Sequence, residues 1–203
     1  MRSVLEILIL VPYIAWRRAT RRIEWFFLFR KILQRKRLLF ALRRDIQDVF
    51  EVCGGVDEIS VTVYGHRGYG EESKKKKTIY WEAPIAITLW SKGTPIAGMA
   101  LELRGRSLCI RQLQGVSGVR FRGALHAWPR LFVQAVIRTA KRANMQSVRL
   151  YRANQSLFYL FPSDIHTREE FVSYRKRMER RYDGTARELG FAMQKKYGVY
   201  KIQ

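Results

Sequence analysis

Arg120, Arg122 and Arg130 fall within eleven positions of one another, and Gly115, Gly118 and Gly123 are interleaved with them. A guanidinium makes forked hydrogen bonds to phosphate oxygens, and glycine lets the main chain come close to an anion. The segment 115–128 runs into a helix expected over Pro129–Asn144, with proline in its first turn. Backbone N–H groups and the positive end of the helix dipole converge at such a junction, so the chemistry on offer is anion capture, above all of phosphate. His126 lies in the same loop, where it either helps position a phosphate or bonds to backbone. Gln112 and Gln114, just before the loop, either orient a substrate amide or pair with neighbouring main chain. A generic basic surface is the competing reading of the arginines, because the chain holds 39 Lys and Arg against 17 Asp and Glu.

These residues must be held by regular elements. Leu108–Gln114 reads as a strand before the loop, and Ser147–Arg152 as a strand after the helix. A strand–helix–strand run favours a parallel pair. Upstream, Ile59, Val61 and Val63 alternate with polar residues as in a half-buried strand. The segment 66–77, with Gly68, Gly70 and Lys74–Lys77, reads as a surface loop. Ile79–Trp90 and Ile96–Arg104 read as strands joined by a hairpin turn over 91–95. Downstream, Thr167 and Glu170 form a capping-box pattern that starts a helix near Arg168. That helix ends at Leu189–Gly190, and 191–195 pairs with 199–202 as a terminal hairpin. The pattern is α+β, with a mixed central sheet over residues 57–203.

Residues 1–56 differ in character. Val4–Trp16 is apolar apart from Glu6 and, at thirteen residues, too short to span a bilayer. Residues 17–44 mix Arg and Lys with Trp, Phe and Leu, which suits a basic amphipathic helical arm lying on an anionic membrane or packed on the body. The net charge of +22 draws polyanions generally. A nucleic-acid arm ranks below a membrane surface, since phosphate contact does not need so many apolar groups. Phe158, Tyr159 and Phe161 form one short cluster that could stack bases or fill the core. Cys53 and Cys109 have no metal-ligand spacing and read as reduced core residues, and the three histidines are scattered. The expectation is a cytoplasmic protein, peripheral on the inner face of the membrane through residues 1–44, with no metal.

The order of elements resembles the GNAT fold of acyl-CoA N-acyltransferases. Glu188-Leu189-Gly190-Phe191 resembles the helix end common there, and Ala153-Asn154 the strand end. A closer resemblance is to the uncharacterised VirK-like bacterial family. It rests on Ile110–Gly115, on Ala124-Leu125-His126 leading to Pro129, and on Arg181-Tyr182-Asp183 before Leu189-Gly190. The GNAT resemblance implies an acyl-CoA or acyl-carrier-protein donor whose arm enters between two parallel strands. It places Gln112, Gln114, Gly115, Gly118, Arg120, Arg122, Gly123, His126 and Arg130 around the donor. For acyl transfer it implies Glu102 as the base and Tyr182 as the proton donor to the leaving thiolate. The alternative is a non-catalytic module for anionic lipid or nucleic acid on the same fold.

Overall fold

Leu38, Leu42, Ile46 and Phe50 recur every fourth residue, the spacing that lines one side of a helix. In the computed structural model, which describes residues 36–63, 70–72, 78–116, 118–119, 121–156, 159 and 167–202, all four are buried on helix α1 (Lys36–Glu51). The helix ends before Gly54 and Gly55, whose φ angles of +66° and +74° are the left-handed values that stop a helix. The segments 1–35 and 74–77, Arg120, Phe158 and Phe161 lie outside the described residues. Residues 36–51, expected within the arm, pack on the body. Phe50 meets Phe132 of helix α2 (Trp128–Arg142) edge to face at 5.0 Å. Asp45, fully buried, accepts hydrogen bonds from Thr139 Oγ1 at 2.7 Å and Arg142 Nη1 at 2.5 Å.

The strands are β1 (Glu58–Val63), β2 (Gly70–Glu72), β3 (Thr78–Tyr80), β4 (Ile85–Ser91), β5 (Thr94–Arg104), β6 (Ser107–Gly115), β7 (Ser147–Tyr151), β8 (Ala192–Met193) and β9 (Tyr197–Lys201). Seven form one sheet in the order β1-β4-β5-β6-β7-β9-β8, and β2 pairs with β3 in a separate hairpin. Within the seven-stranded sheet only β6 and β7 run parallel, across the α2 crossover. The architecture is therefore the expected α+β one: a meander, one strand–helix–strand crossover and a C-terminal hairpin. Leu101, Ile110, Leu113 and Val148 share a buried cluster with Phe132 and Val136 of α2.

Two expectations need correction. The strand expected over 79–90 is broken, because residues 81–84 leave the ladder between β3 and β4. Pro84, without an N–H to give, stands at the break. Trp81 folds over β5 instead, so close to Gly98 that a Cβ there would lie 2.4 Å from the indole. The loop expected over 66–77 contains β2, half of the small hairpin. Elsewhere the chain follows its local signals. Lys92 and Gly93 turn the β4–β5 hairpin with φ of +51° and +65°, the left-handed pair of a two-residue turn. Thr167 Oγ1 accepts the Glu170 N–H, and Glu170 accepts the Thr167 N–H, so the capping box starts helix α3 (Arg168–Glu179) as expected. A π-helical turn (Arg180–Gly184) then joins α3 to the short helix α4 (Thr185–Glu188).

Candidate functional site at the parting of the parallel strands

β6 and β7 are in register only from Ser107/Ser147 to Ile110/Leu150. Beyond that, β7 ends at Tyr151 while β6 continues to Gly115. The cause lies on the other side of β6. Leu101 of β5 faces Ile110, but the next residue, Ala100, faces Gln112, so Arg111 is an extra residue. Such a bulge bends its strand and sharpens the twist. From Arg111 onward β6 keeps β5 and parts from β7.

The π-helical turn bridges this gap. Tyr182, buried, presents its hydroxyl oxygen to the Leu113 N–H at 2.7 Å. Arg181 Nη1 donates to the Leu113 carbonyl at 3.4 Å, and its guanidinium lies 5.3 Å from the Trp128 ring centre. On the far side, Asp183 accepts from Arg152 Nη2 at 2.9 Å, Arg152 Nε at 3.2 Å and the Ala153 N–H at 3.4 Å. Adjacent residues of one turn thus bind the two lips of the gap.

A polar cluster borders the β6 lip. Gln112 accepts the Glu82 N–H at 2.9 Å and donates to Gln114 at 2.6 Å. Ser156 Oγ donates to the Glu82 carboxylate at 3.2 Å. Burial pushes the Tyr182 phenol well above its ordinary value, and the nearby negative charge of Glu82 pushes it further. Tyr182 is therefore a neutral hydroxyl with a carboxylate in its field. Burial also lowers the pKa of Arg181.

Among the residues expected from sequence, the structure brings Tyr182, Gln112 and Gln114 to this lip, with Gly115 close by. A Cβ on Gly115 would lie 3.5 Å from Trp128 and 3.7 Å from Arg181. Glu102 is elsewhere: it faces Cys109, where β6 is paired on both sides, and its carboxylate meets Arg104 Nε at 2.5 Å. Cys109 and Leu113 are four positions apart on β6, roughly 13 Å of extended chain. Gly118 and Gly123 adopt left-handed φ values of +76° and +55°. However, the loop does not feed α2 directly. A 3₁₀ turn, Gly123–Ala127, intervenes, and the Trp128 N–H is spent on the Leu125 carbonyl. Arg122, His126 and Arg130 are exposed around this turn, and Arg120 lies outside the described residues. Sequence reasoning missed Glu82, Ser156, Leu113 and Arg181. Only the excess residue at the bulge could have pointed to them, and a bulge has no local signature here.

No protein-family model matches the chain, and no curated protein matches it. A solved structure described as a streptothricin acetyltransferase from Bacillus anthracis str. Ames, in complex with acetyl coenzyme A, is similar over 77% of this chain and 93% of that one. The identity is 14% and the TM-score 0.35, so the likeness is too loose to argue from. The fold rests on the strand order and register of this chain.

Proposed function

We propose that the protein is a GNAT-like acyltransferase that accepts a thioester donor, acyl-CoA or an acyl carrier protein, at the parting of β6 and β7. One observation carries the reading: a main-chain N–H of β6 and a neutral tyrosine hydroxyl meet where the parallel pair splits. The donor's carbonyl oxygen takes the Leu113 N–H in place of the Tyr182 oxygen, so the amide steadies the charge that grows on that oxygen. Glu82, directly or through a water, takes a proton from the acceptor amine as its nitrogen attacks the carbonyl carbon. The C–S bond breaks, and Tyr182 protonates the departing thiolate. The anionic part of the donor lies toward Arg122, His126 and Arg130. Glu82 replaces Glu102 in the base's role because Glu102 stands at the closed part of the sheet, paired with Arg104.

Calorimetry with acetyl-CoA, a long-chain acyl-CoA and acyl carrier protein tests this directly. Saturable binding of one donor with release of free thiol in the presence of an amine is the expected result. No binding of any donor removes the reading. A second reading, a non-catalytic anion module, is favoured by the occupancy of both Leu113 backbone groups by Arg181 and Tyr182. It predicts anion binding without thiol release.

The basic segment 1–44 holds the protein on the inner, anionic face of a membrane. In the part of it described here, Leu38 and Leu42 are buried, while Phe40 is 70% exposed beside exposed Arg43 and Arg44. Phe40→Ser with Arg43→Gln and Arg44→Gln is expected to reduce co-sedimentation with anionic liposomes. Unchanged co-sedimentation overturns the membrane assignment, and steeply salt-dependent binding to RNA in its place favours nucleic acid.

A further inference from the structure

The helical run formed by α3, the π turn and α4 has a second working face. Arg181 reaches toward Trp128 and Tyr182 toward β6, but the opposite side looks onto the segment that follows β7. There an open cavity of about 430 Å³ is lined by four cations, Arg152, Lys176, Arg180 and Arg187, and by two acids, Glu179 and Asp183. Both acids are engaged. Asp183 holds Arg152 through two guanidinium nitrogens and also takes the Ala153 N–H. Glu179 accepts the Tyr159 hydroxyl at 2.6 Å.

Lys176, Arg180 and Arg187 remain. Their side chains make no ion pair or hydrogen bond among the described residues. Lys176 and Arg180 are four positions apart, neighbours on a helix surface, where like charges repel. A concave wall with uncompensated positive charge focuses its field on whatever enters. The volume falls within the range of small-molecule pockets, about 300–1,000 Å³, and exceeds what a lone ion fills. Two guanidinium forks and one ammonium suit a phosphate group with several oxygens to share. The π turn supplies Arg180, Asp183 and Gly184 to this wall, and such turns recur at functional sites. A Cβ on Gly184 would meet nothing within 4 Å, so the cavity wall is open at that point.

We propose that this cavity binds a small phosphorylated ligand, its phosphate or diphosphate held by Arg180 and Arg187 with Lys176 at the flank. The cavity shares the Arg152–Asp183 pair with the far lip of the thioester mouth, but it lies on the other side of the helix from Tyr182 and Leu113. The phosphate can belong to a free small molecule or to a lipid head group.

The test measures calorimetric binding of inorganic pyrophosphate to the full chain at fixed ionic strength. In parallel, co-sedimentation uses phosphatidylcholine vesicles carrying phosphatidic acid. Arg180→Gln with Arg187→Gln is expected to weaken binding at least about tenfold, roughly the loss of one charge-assisted hydrogen bond. Arg138→Gln with Lys141→Gln removes the same charge from an exposed face of α2 and is expected to leave binding unchanged. Gly184→Leu alters no charge, takes up cavity space and is expected to weaken pyrophosphate binding as well. Vesicle binding alone, lost in the Arg180/Arg187 variant and kept in the α2 variant, assigns the phosphate to a head group. Equal losses in the two double variants, or no saturable binding of either probe, overturns the proposal. Tyr182→Phe leaves pyrophosphate binding intact, so failure of this site and failure of the thioester mouth are read separately.

Discussion

Replacing Tyr182 by phenylalanine removes a single oxygen from the gap and keeps the ring that fills it. That oxygen accepts the Leu113 N–H at 2.7 Å, and Leu113 is only 1% exposed, so water cannot readily take its place. An orphaned buried donor costs about 1–3 kcal/mol. For a chain of this size each kcal/mol lowers Tm by roughly 2–4 °C, so a drop of about 2–12 °C is expected. On the proposed mechanism, the same change has the opposite effect on donor binding. In the wild type, the thioester carbonyl must first displace the phenol from Leu113. In Tyr182→Phe the N–H is vacant, and affinity for the acyl donor rises by up to the same free energy, about 5- to 150-fold. Turnover falls meanwhile, because the thiolate leaves without its acid, by about 10²–10⁴-fold. Thermal melts, calorimetry with acyl-CoA and a thiol-release assay measure the three effects on one protein. Donor affinity that stays equal or weakens refutes Leu113 as the carbonyl's contact. An unchanged rate refutes Tyr182 as the acid.

Gly98→Ala sets a methyl carbon 2.4 Å from the Trp81 ring, and displacing that buried indole costs about 1–3 kcal/mol in a denaturant titration; a neutral result would mean that Trp81 does not lie over Gly98. At the buried Asp45, Arg142→Ala is expected to destabilise more than Asp45→Asn, because it leaves a fully buried carboxylate with Thr139 as its remaining side-chain partner; equal losses would contradict this. Thr167→Ala opens the capping box and costs about 1 kcal/mol, measured by urea unfolding. Burial, then the charge of Glu102, pushes the Cys109 thiol up to about 11 from an ordinary 9.0. Its neutral form is favoured in the fold, so this stability is complete below pH 9 and is lost between pH 9 and 11, with a slope of at most about 1.4 kcal/mol per pH unit. The raised Tyr182 phenol continues the loss above about pH 10. Cys109→Ala is expected to flatten the first part of that decline in stability measured against pH.

Features fixed by neighbours in sequence were legible before the structure. The Thr167–Glu170 capping box, the alternation of Ile59, Val61 and Val63, and the amphipathic run ending at Arg142 each act over a few residues. The expected strand 79–90 failed because Trp81 gains more by covering Gly98 than by staying in a ladder that Pro84 interrupts anyway. Glu82 was overlooked for the same reason, since its place beside Gln112 exists only once the ladder breaks there. Glu102 was preferred because it sits on a strand next to the expected crossover. Which carboxylate reaches the gap depends on where β6 leaves β7, and the bulge at Arg111 decides that without any glycine or proline to mark it. The α1 residues looked like arm because Lys36, Arg37, Arg43 and Arg44 continue the basic run of residues 17–44. Four apolar side chains at a constant spacing of four were nevertheless enough to bury one face.

The gap between β6 and β7 is bridged by bonds from three consecutive residues, with Arg181 Nη1 on the Leu113 carbonyl beside the ties of Tyr182 and Asp183. Tyr182 ties its turn to Leu113 on one lip, and Asp183 ties it to Arg152 and Ala153 on the other. In a regular α-helix successive side chains diverge by about 100°, so only one of two neighbours would normally point inward. Here both are buried, and the wider π turn, with its extra residue, permits this. The two ties differ in kind. The Asp183 tie is an ion pair with a main-chain hydrogen bond added, whereas the Tyr182 tie is one neutral hydrogen bond. A charge-assisted bond is worth about twice a neutral one. An incoming carbonyl that competes for Leu113 therefore replaces the weaker tie, with a bond of the same kind, and leaves the turn anchored to β7. Exchange at one lip against a fixed second lip is the property that a donor site at this position needs.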